Sequence, residues 1–127
     1  MPVINVYYDK LLSILKKPLT KQEIIDNLPY LGLDIEEQTE NYIKVEYNPN
    51  RSDFSSEWGI GRALNGLMDF ETGSSRYIIE ESNVIIKVDK SVDLIRPFLV
   101  GAIVRGTKFD DNSIKQIMAM QDDLDNE

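Results

Sequence analysis

The chain has 127 residues, no cysteine, no histidine and a net charge of -8. These counts exclude a disulfide framework, thiolate or imidazole metal sites, and any Ser-His, Cys-His or histidine-based catalysis, leaving carboxylates suited to Mg²⁺ or Ca²⁺ as the only metal ligands. With 22 Asp+Glu against 14 Lys+Arg, the chain is not expected to grip a phosphate backbone by itself, and no apolar run approaches the roughly 20 residues that span a bilayer.

The opening Met1-Pro-Val-Ile-Asn5 lacks a basic region followed by an apolar core, so it is not read as a signal peptide. The absence of cysteine fits a reducing, cytoplasmic setting. Tyr8, Leu11, Leu12 and Leu15 fall at i, i+3, i+4 and i+7, which predicts a short helix with Asp9 as its cap and Pro18 closing the stretch. Thr20 and Glu23 have capping-box spacing. A second short helix follows, with Ile24, Ile25 and Leu28 on one side, ended by Pro29 and Gly32. A hairpin comes next: a strand over 33–38, a turn at Thr39-Glu-Asn41, and a strand over 42–47 that alternates Ile43, Val45 and Tyr47 with Tyr42, Lys44 and Glu46. Asn48-Pro-Asn50 stops it.

The longest predicted helix runs over 54–70, capped by Ser52 or Asp53, with Ile60, Ala63, Leu64, Leu67 and Met68 as its apolar stripe. Gly59, Gly61 and Gly66 each weigh against it by about 1 kcal/mol relative to alanine. A helix that keeps three glycines is expected to pack closely against another backbone. Gly73-Ser-Ser75 ends it and is the best linker. Beyond it, Val84, Ile86 and Val88 alternate as a strand, and the continuous apolar run 98–104 reads as a strand buried on both faces. Asp110-Asp-Asn112 offers a helix start, and Ile114, Ile117, Met118 and Leu124 share one face. The expected fold class is α+β: a small α+β domain over 1–75, then over 76–127 the first strands and helix of a second, incomplete α/β domain.

Several motifs have a functional and a structural reading. Gly59-Ile-Gly61 begins like a dinucleotide fingerprint but has Leu64 at the third glycine and lies inside a helix. Asp110, Asp111 and Asn112 lack the spacing of a calcium loop, and helix capping accounts for them. Asp122, Asp123, Asp125 and Glu127 could draw a cation, yet an acidic helix end opposing the dipole, and so fraying, explains them better. Trp58, Tyr42, Tyr47 and Phe54 could stack bases, but such platforms sit in basic grooves. Glu36-Glu37 and Glu80-Glu81 are adjacent pairs pointing to opposite sides, unsuited to acid–base work. In the segment 48–55, an Arg51–Asp53 pair would fix a turn against the following helix.

That segment also carries a resemblance. Asn50-Arg51-Ser52-Asp53-Phe54-Ser55 followed by Gly59-Ile60-Gly61-Arg62 resembles the signature Asn-Arg-Pro-Asp-Leu-x-Ser, Gly-Ile-Ala-Arg of the phenylalanyl-tRNA synthetase β subunit, in its archaeal and eukaryotic form. Leu31-Gly-Leu-Asp34-Ile-Glu36, Ser91-Val-Asp-Leu-Ile95-Arg96-Pro97-Phe98, Ala102-Ile-Val104-Arg105-Gly106 and Gln116-Ile-Met118 match it in order. Ser52 stands where the family usually has proline, and Gly61 where it usually has alanine. Asn50, Arg51 and Asp53 carry over as a structural signature, with no catalytic, cofactor-binding or metal residue assigned. The resemblance implies a parent enzyme that attaches phenylalanine to tRNA(Phe) using ATP and Mg²⁺ in an α₂β₂ assembly with an α subunit. It places the editing and aminoacylation pockets outside these residues, so the chain is expected to be inactive alone and to need no cofactor itself. The competing expectation is a free-standing acidic interaction module derived from the same N-terminal domain.

Overall fold

A computed structural model describes residues 2–126. Residues up to Ser74, together with those from Asp110 on, form one compact unit, and Ser75–Phe109 form a second. The first unit contains β1 (Val3–Tyr7), α1 (Tyr8–Ile14), α2 (Lys21–Asn27), β2 (Asp34–Gln38), β3 (Tyr42–Glu46), α3 (Glu57–Leu67) and α4 (Asp111–Asn126), with 3-10 turns at Leu28–Leu31 and Ser52–Ser55. This is an α+β fold.

The sheet is antiparallel with order β1-β3-β2. The predicted hairpin is present, with Ile35 and Ile4 both opposite Val45. β1 is an addition to the expected elements. Its Tyr8 end donates to the Asn41 carbonyl (3.1 Å), and the Pro2 carbonyl at its other end accepts from the Tyr47 N–H (3.1 Å). Even-numbered residues of β1 therefore bond to β3, and Val3, Asn5 and Tyr7 turn their backbone groups to the outer edge. Val6, Ile43 and Val45 reach the core, where Leu11 of α1, Ile24 of α2, and Ile60 and Leu64 of α3 close over the sheet.

Thr20 and Glu23 form the predicted reciprocal capping box, and Gly32 ends the following turn in the left-handed region at φ 78°. Asp9 lies in the first turn of α1 and does not cap it; the cap position is Tyr7, with no side-chain bond. The helix expected over 54–70 is shorter. Ser52–Ser55 form a separate turn, and Ser56, not Ser52 or Asp53, caps α3 by accepting from the Gly59 N–H (3.3 Å). Burial of Phe54 drives this break, because its ring belongs to the core at 1 % exposure while the helix must start one turn later to bury Ile60.

The second unit departs from expectation. Its regular structure is a 3-10 turn at Lys90–Val92, and the segments around Val84–Val88 and 98–104 form no strands. Phe98 and Val100 are 91 % and 96 % exposed, so the run read as buried on both faces is uncovered. A strand exists only through a ladder to a neighbour, and the described residues supply no such ladder here. The two segments do meet at one point: a Cβ on Gly101 would lie 2.7 Å from Ile86 Cδ1.

Candidate functional site

The 48–56 turn is built from its own backbone. The Arg51 N–H donates to the Asn48 carbonyl (2.9 Å), and the Phe54 N–H to the Arg51 carbonyl (2.8 Å). Arg51 and Asp53 form the predicted pair, with Nε to Oδ1 at 2.9 Å and Nη2 to Oδ2 at 2.8 Å, and the guanidinium lies 3.8 Å from the centre of the Phe54 ring. The hydrogen bonds from Arg51 hold the Asp53 carboxyl below its usual range. Both side chains are about half exposed, so this pair shapes the turn more than it stabilises the fold. Asn50 sits exposed at its tip. The Asp53 carbonyl faces α3 so closely that a Cβ on Gly59 would fall 1.6 Å from it.

One turn further on lies a residue the sequence reading missed as a site. Glu57 is fully buried. One carboxylate oxygen, Oε1, accepts from the outward-facing Tyr7 N–H of β1 (2.7 Å), and Oε2 accepts from Gln116 Nε2 of α4. One side chain thus ties together β1, α3 and α4. Burial pushes the Glu57 carboxyl up, against the two hydrogen bonds. The Gln116 amide oxygen is buried without a partner. The signal was in the spacing: Glu57, Ile60, Gly61 and Leu64 fall at i, i+3, i+4 and i+7 and form the buried face of α3.

Around this junction, Lys10 Nζ donates to Ser113 Oγ (3.4 Å) and pairs with Asp110 (3.8 Å). Asp110 caps α4 through the Ser113 N–H (2.7 Å), as predicted. An open groove runs beside it between the outer edge of β1 and α4, lined by Asn5, Tyr7, Lys115 and Gln116 among others and, among the described residues, by no carboxylate. A second buried polar residue, Asn65, accepts from the Lys16 N–H (2.9 Å) and donates to the Ile14 carbonyl (3.2 Å), closing the end of α1 against α3.

The remaining candidates are spread apart. Gly59 and Gly61 lie within α3, away from any strand-to-helix turn. Tyr47 and Phe54 are core residues while Trp58 is 54 % exposed, so these rings form no stacking platform. Glu36 pairs with Lys44 (2.9 Å). Asp122 and Asp125 lie in the last turns of α4, and Glu127 falls outside the described residues. Among the described residues no three His, Cys, Asp or Glu gather as a metal site.

No family profile matches the chain. Phenylalanine--tRNA ligase beta subunits do. That of Methanosarcina acetivorans is 41 % identical over 124 residues, 98 % of this chain and 22 % of the relative. That of Methanosarcina barkeri is 44 % identical over the same shares. Among solved structures, an N-terminal fragment of the phenylalanyl-tRNA synthetase beta-subunit from Pyrococcus horikoshii aligns over 97 % of this chain and 37 % of that one, with a TM-score of 0.80 and 28 % identity. The chain therefore spans about a fifth of the length of the curated relatives it matches. Both alignments run over nearly the whole chain, and along that length this chain is a homologue of the N-terminal region of the archaeal phenylalanine--tRNA ligase beta subunit.

Proposed function

We propose that the chain serves as an architectural module of a phenylalanine--tRNA ligase, working in the cytoplasm with an α subunit in an α₂β₂ assembly. In that reading the whole enzyme joins phenylalanine to tRNA(Phe) with ATP and Mg²⁺, and this segment braces the subunit and its editing module. The observation that carries it is the likeness along 98 % of the chain. The packing supports it: Gly59, Gly61, Arg51, Asp53 and Asp110, the residues that could be read as ligand sites, are occupied in close contacts, a turn and a cap.

The test is co-purification with the phenylalanine--tRNA ligase alpha subunit of Methanosarcina barkeri, followed by light scattering, with ATP–pyrophosphate exchange measured in parallel. The expected result is a complex containing both chains, with exchange absent from the 127-residue chain alone. A monodisperse monomer that ignores the alpha subunit, or exchange by the chain alone, would overturn the reading.

A further inference from the structure

The sheet has two outer edges, and they are defended differently. The β2 edge carries Asp34, Glu36 and Glu37, and its register is irregular between Ile35 and Glu37. Charge and irregularity of this kind keep other strands away. The β1 edge has neither. Val3, Asn5 and Tyr7 are exposed, and their backbone groups point away from β3. Glu57 occupies the Tyr7 N–H (2.7 Å). Among the described residues nothing bonds to the outward N–H and C=O of Val3 and Asn5. α4 stands beside this edge and leaves the groove between them open. A helix spends its own N–H and C=O groups internally, so α4 offers the edge no ladder. The groove wall is mixed: Val3, Tyr7 and Ala119 are apolar, and Lys115 is the one charged side chain among the described lining residues. Lys115 is exposed and makes no ion pair among the described residues.

We infer that the outer edge of β1 is a strand-addition site for an extended segment of a separate polypeptide, β-branched and uncharged along its length except for one carboxylate set beside Lys115. An incoming strand meets the unpartnered groups of Val3 and Asn5 as a new ladder, a mode in which main-chain bonds give affinity and alternate side chains give selectivity. β-branched residues suit such a pleated, half-covered seat. The occupant is a single segment, because it lies with β1 on one side and α4 on the other. The edge of another sheet would bring its own neighbouring strand into the place of α4. A second copy of this chain fits less well on that ground, since its β1 is backed by β3. Each copy also brings a charge of -8, and like net charges oppose association. The single carboxylate follows from Lys115, an unpaired cation in a groove whose described lining holds no carboxylate. Acidic groups elsewhere on the chain are screened beyond roughly 8 Å at physiological ionic strength.

The probe is a capped heptapeptide of alternating valine and threonine with a central glutamate, titrated into the 127-residue chain and followed by amide NMR. The expected result is saturable one-to-one binding with a Kd of about 1 mM or tighter. The Val3 and Asn5 amides should shift and exchange more slowly, and those over Asp34–Gln38 should not. A peptide methylated on its backbone nitrogens, so that neither of its edges can donate, should bind at least tenfold more weakly. Asn5→Pro should weaken binding to the same degree. It deletes an outward N–H and breaks no bond to β3, and proline is tolerated where an edge N–H faces solvent. Replacing the central glutamate by glutamine should weaken binding about two- to fivefold to the parent chain and leave binding to Lys115→Ala unchanged. No binding at five times the expected Kd, equal binding of the methylated peptide, or a glutamate effect that survives Lys115→Ala would each overturn the inference. So would slowed exchange at Val3 and Asn5 on raising the concentration of the chain alone, which would make a second copy the occupant. If Asn5→Pro does not fold, the methylated peptide decides the question without altering the protein.

Discussion

Gly59→Ala puts the helix-packing account at risk. In an ordinary helix interior this change stabilises by about 0.5–1 kcal/mol, since alanine loses less backbone entropy. Here the new methyl would lie 1.6 Å from the Asp53 carbonyl oxygen and 2.6 Å from its carbon. The obstacle is backbone, so either the 52–55 turn or the first turn of α3 must move. Overpacking at sites where neighbours can shift costs up to about 3 kcal/mol, so the net loss is expected to be about 2 kcal/mol or more. For a domain of this size that lowers Tm by roughly 8–16 °C. The neighbouring glycines order the series. At Gly61 the obstruction is the Ile14 side chain, Cγ2 at 2.7 Å, which can turn aside, and the expected cost of alanine is smaller. At Gly66 the nearest atom is the Glu71 carbonyl at 3.9 Å, so alanine should raise Tm. Thermal and urea unfolding by far-UV circular dichroism measure all three. Gly59→Ala as stable as the parent, or Gly66→Ala as damaging as Gly59→Ala, would refute the reasoning.

Three further changes test the polar contacts. Glu57→Gln keeps an oxygen for the Tyr7 N–H, and its amide replaces the oxygen that accepts from Gln116 Nε2, so the Gln116 amide must turn over to present its own oxygen as acceptor; with one hydrogen bond exchanged for another and a buried charge removed, the variant should match or exceed parental stability at pH 7, whereas Glu57→Ala should lose about 1–3 kcal/mol in urea titration by orphaning Tyr7. Because the folded carboxyl is raised above its ordinary 4.5, its contribution is full below that value and fades as pH rises through the folded value. The advantage of Glu57→Gln should therefore shrink between pH 7 and pH 4.5, and an unchanging gap would count against a charged, desolvated Glu57. Asn65→Ala strands the Lys16 N–H and the Ile14 carbonyl and should cost about 2 kcal/mol by the same titration. Arg51→Ala removes a half-exposed pair and should cost under about 1 kcal/mol, with the Asp53 carboxyl rising toward its normal range by NMR titration.

What was legible in the sequence was local. The Thr20–Glu23 box spans one helical turn, the 33–47 hairpin closes across three polar residues, and the stripe of α3 repeats within its own length. Of the three helix glycines expected to mark close backbone packing, Gly59 does face backbone; Gly61 faces a side chain, and Gly66 has no close contact. What escaped depends on distant partners. β1 is a strand because β3 lies beside it, and its own five residues show no clean alternation. Glu57 bonds Tyr7 across 50 positions and Gln116 across 59, and Asn65 bonds Lys16 across 49. The spacing within α3 puts Glu57 on its buried face, but no local pattern names the distant partners that hold the carboxylate there. The strands expected at Val84–Val88 and 98–104 had the right composition, but among the described residues neither has a ladder partner, so composition alone could not form them.

The chain leaves its first unit at Ser75 and returns at Asp110. Topologically, the intervening stretch is an insertion, held at both ends by a body that is already folded. The entropy of closing such an excursion grows only with the logarithm of its length, about 0.6 kcal/mol per doubling. The body carrying the Glu57 junction is therefore nearly indifferent to how long the excursion is. Grafting a longer or shorter segment between Ser74 and Asp110 should leave the sheet and its helices standing, which makes this unit a mounting on which an appended domain can change size without renegotiating the mount.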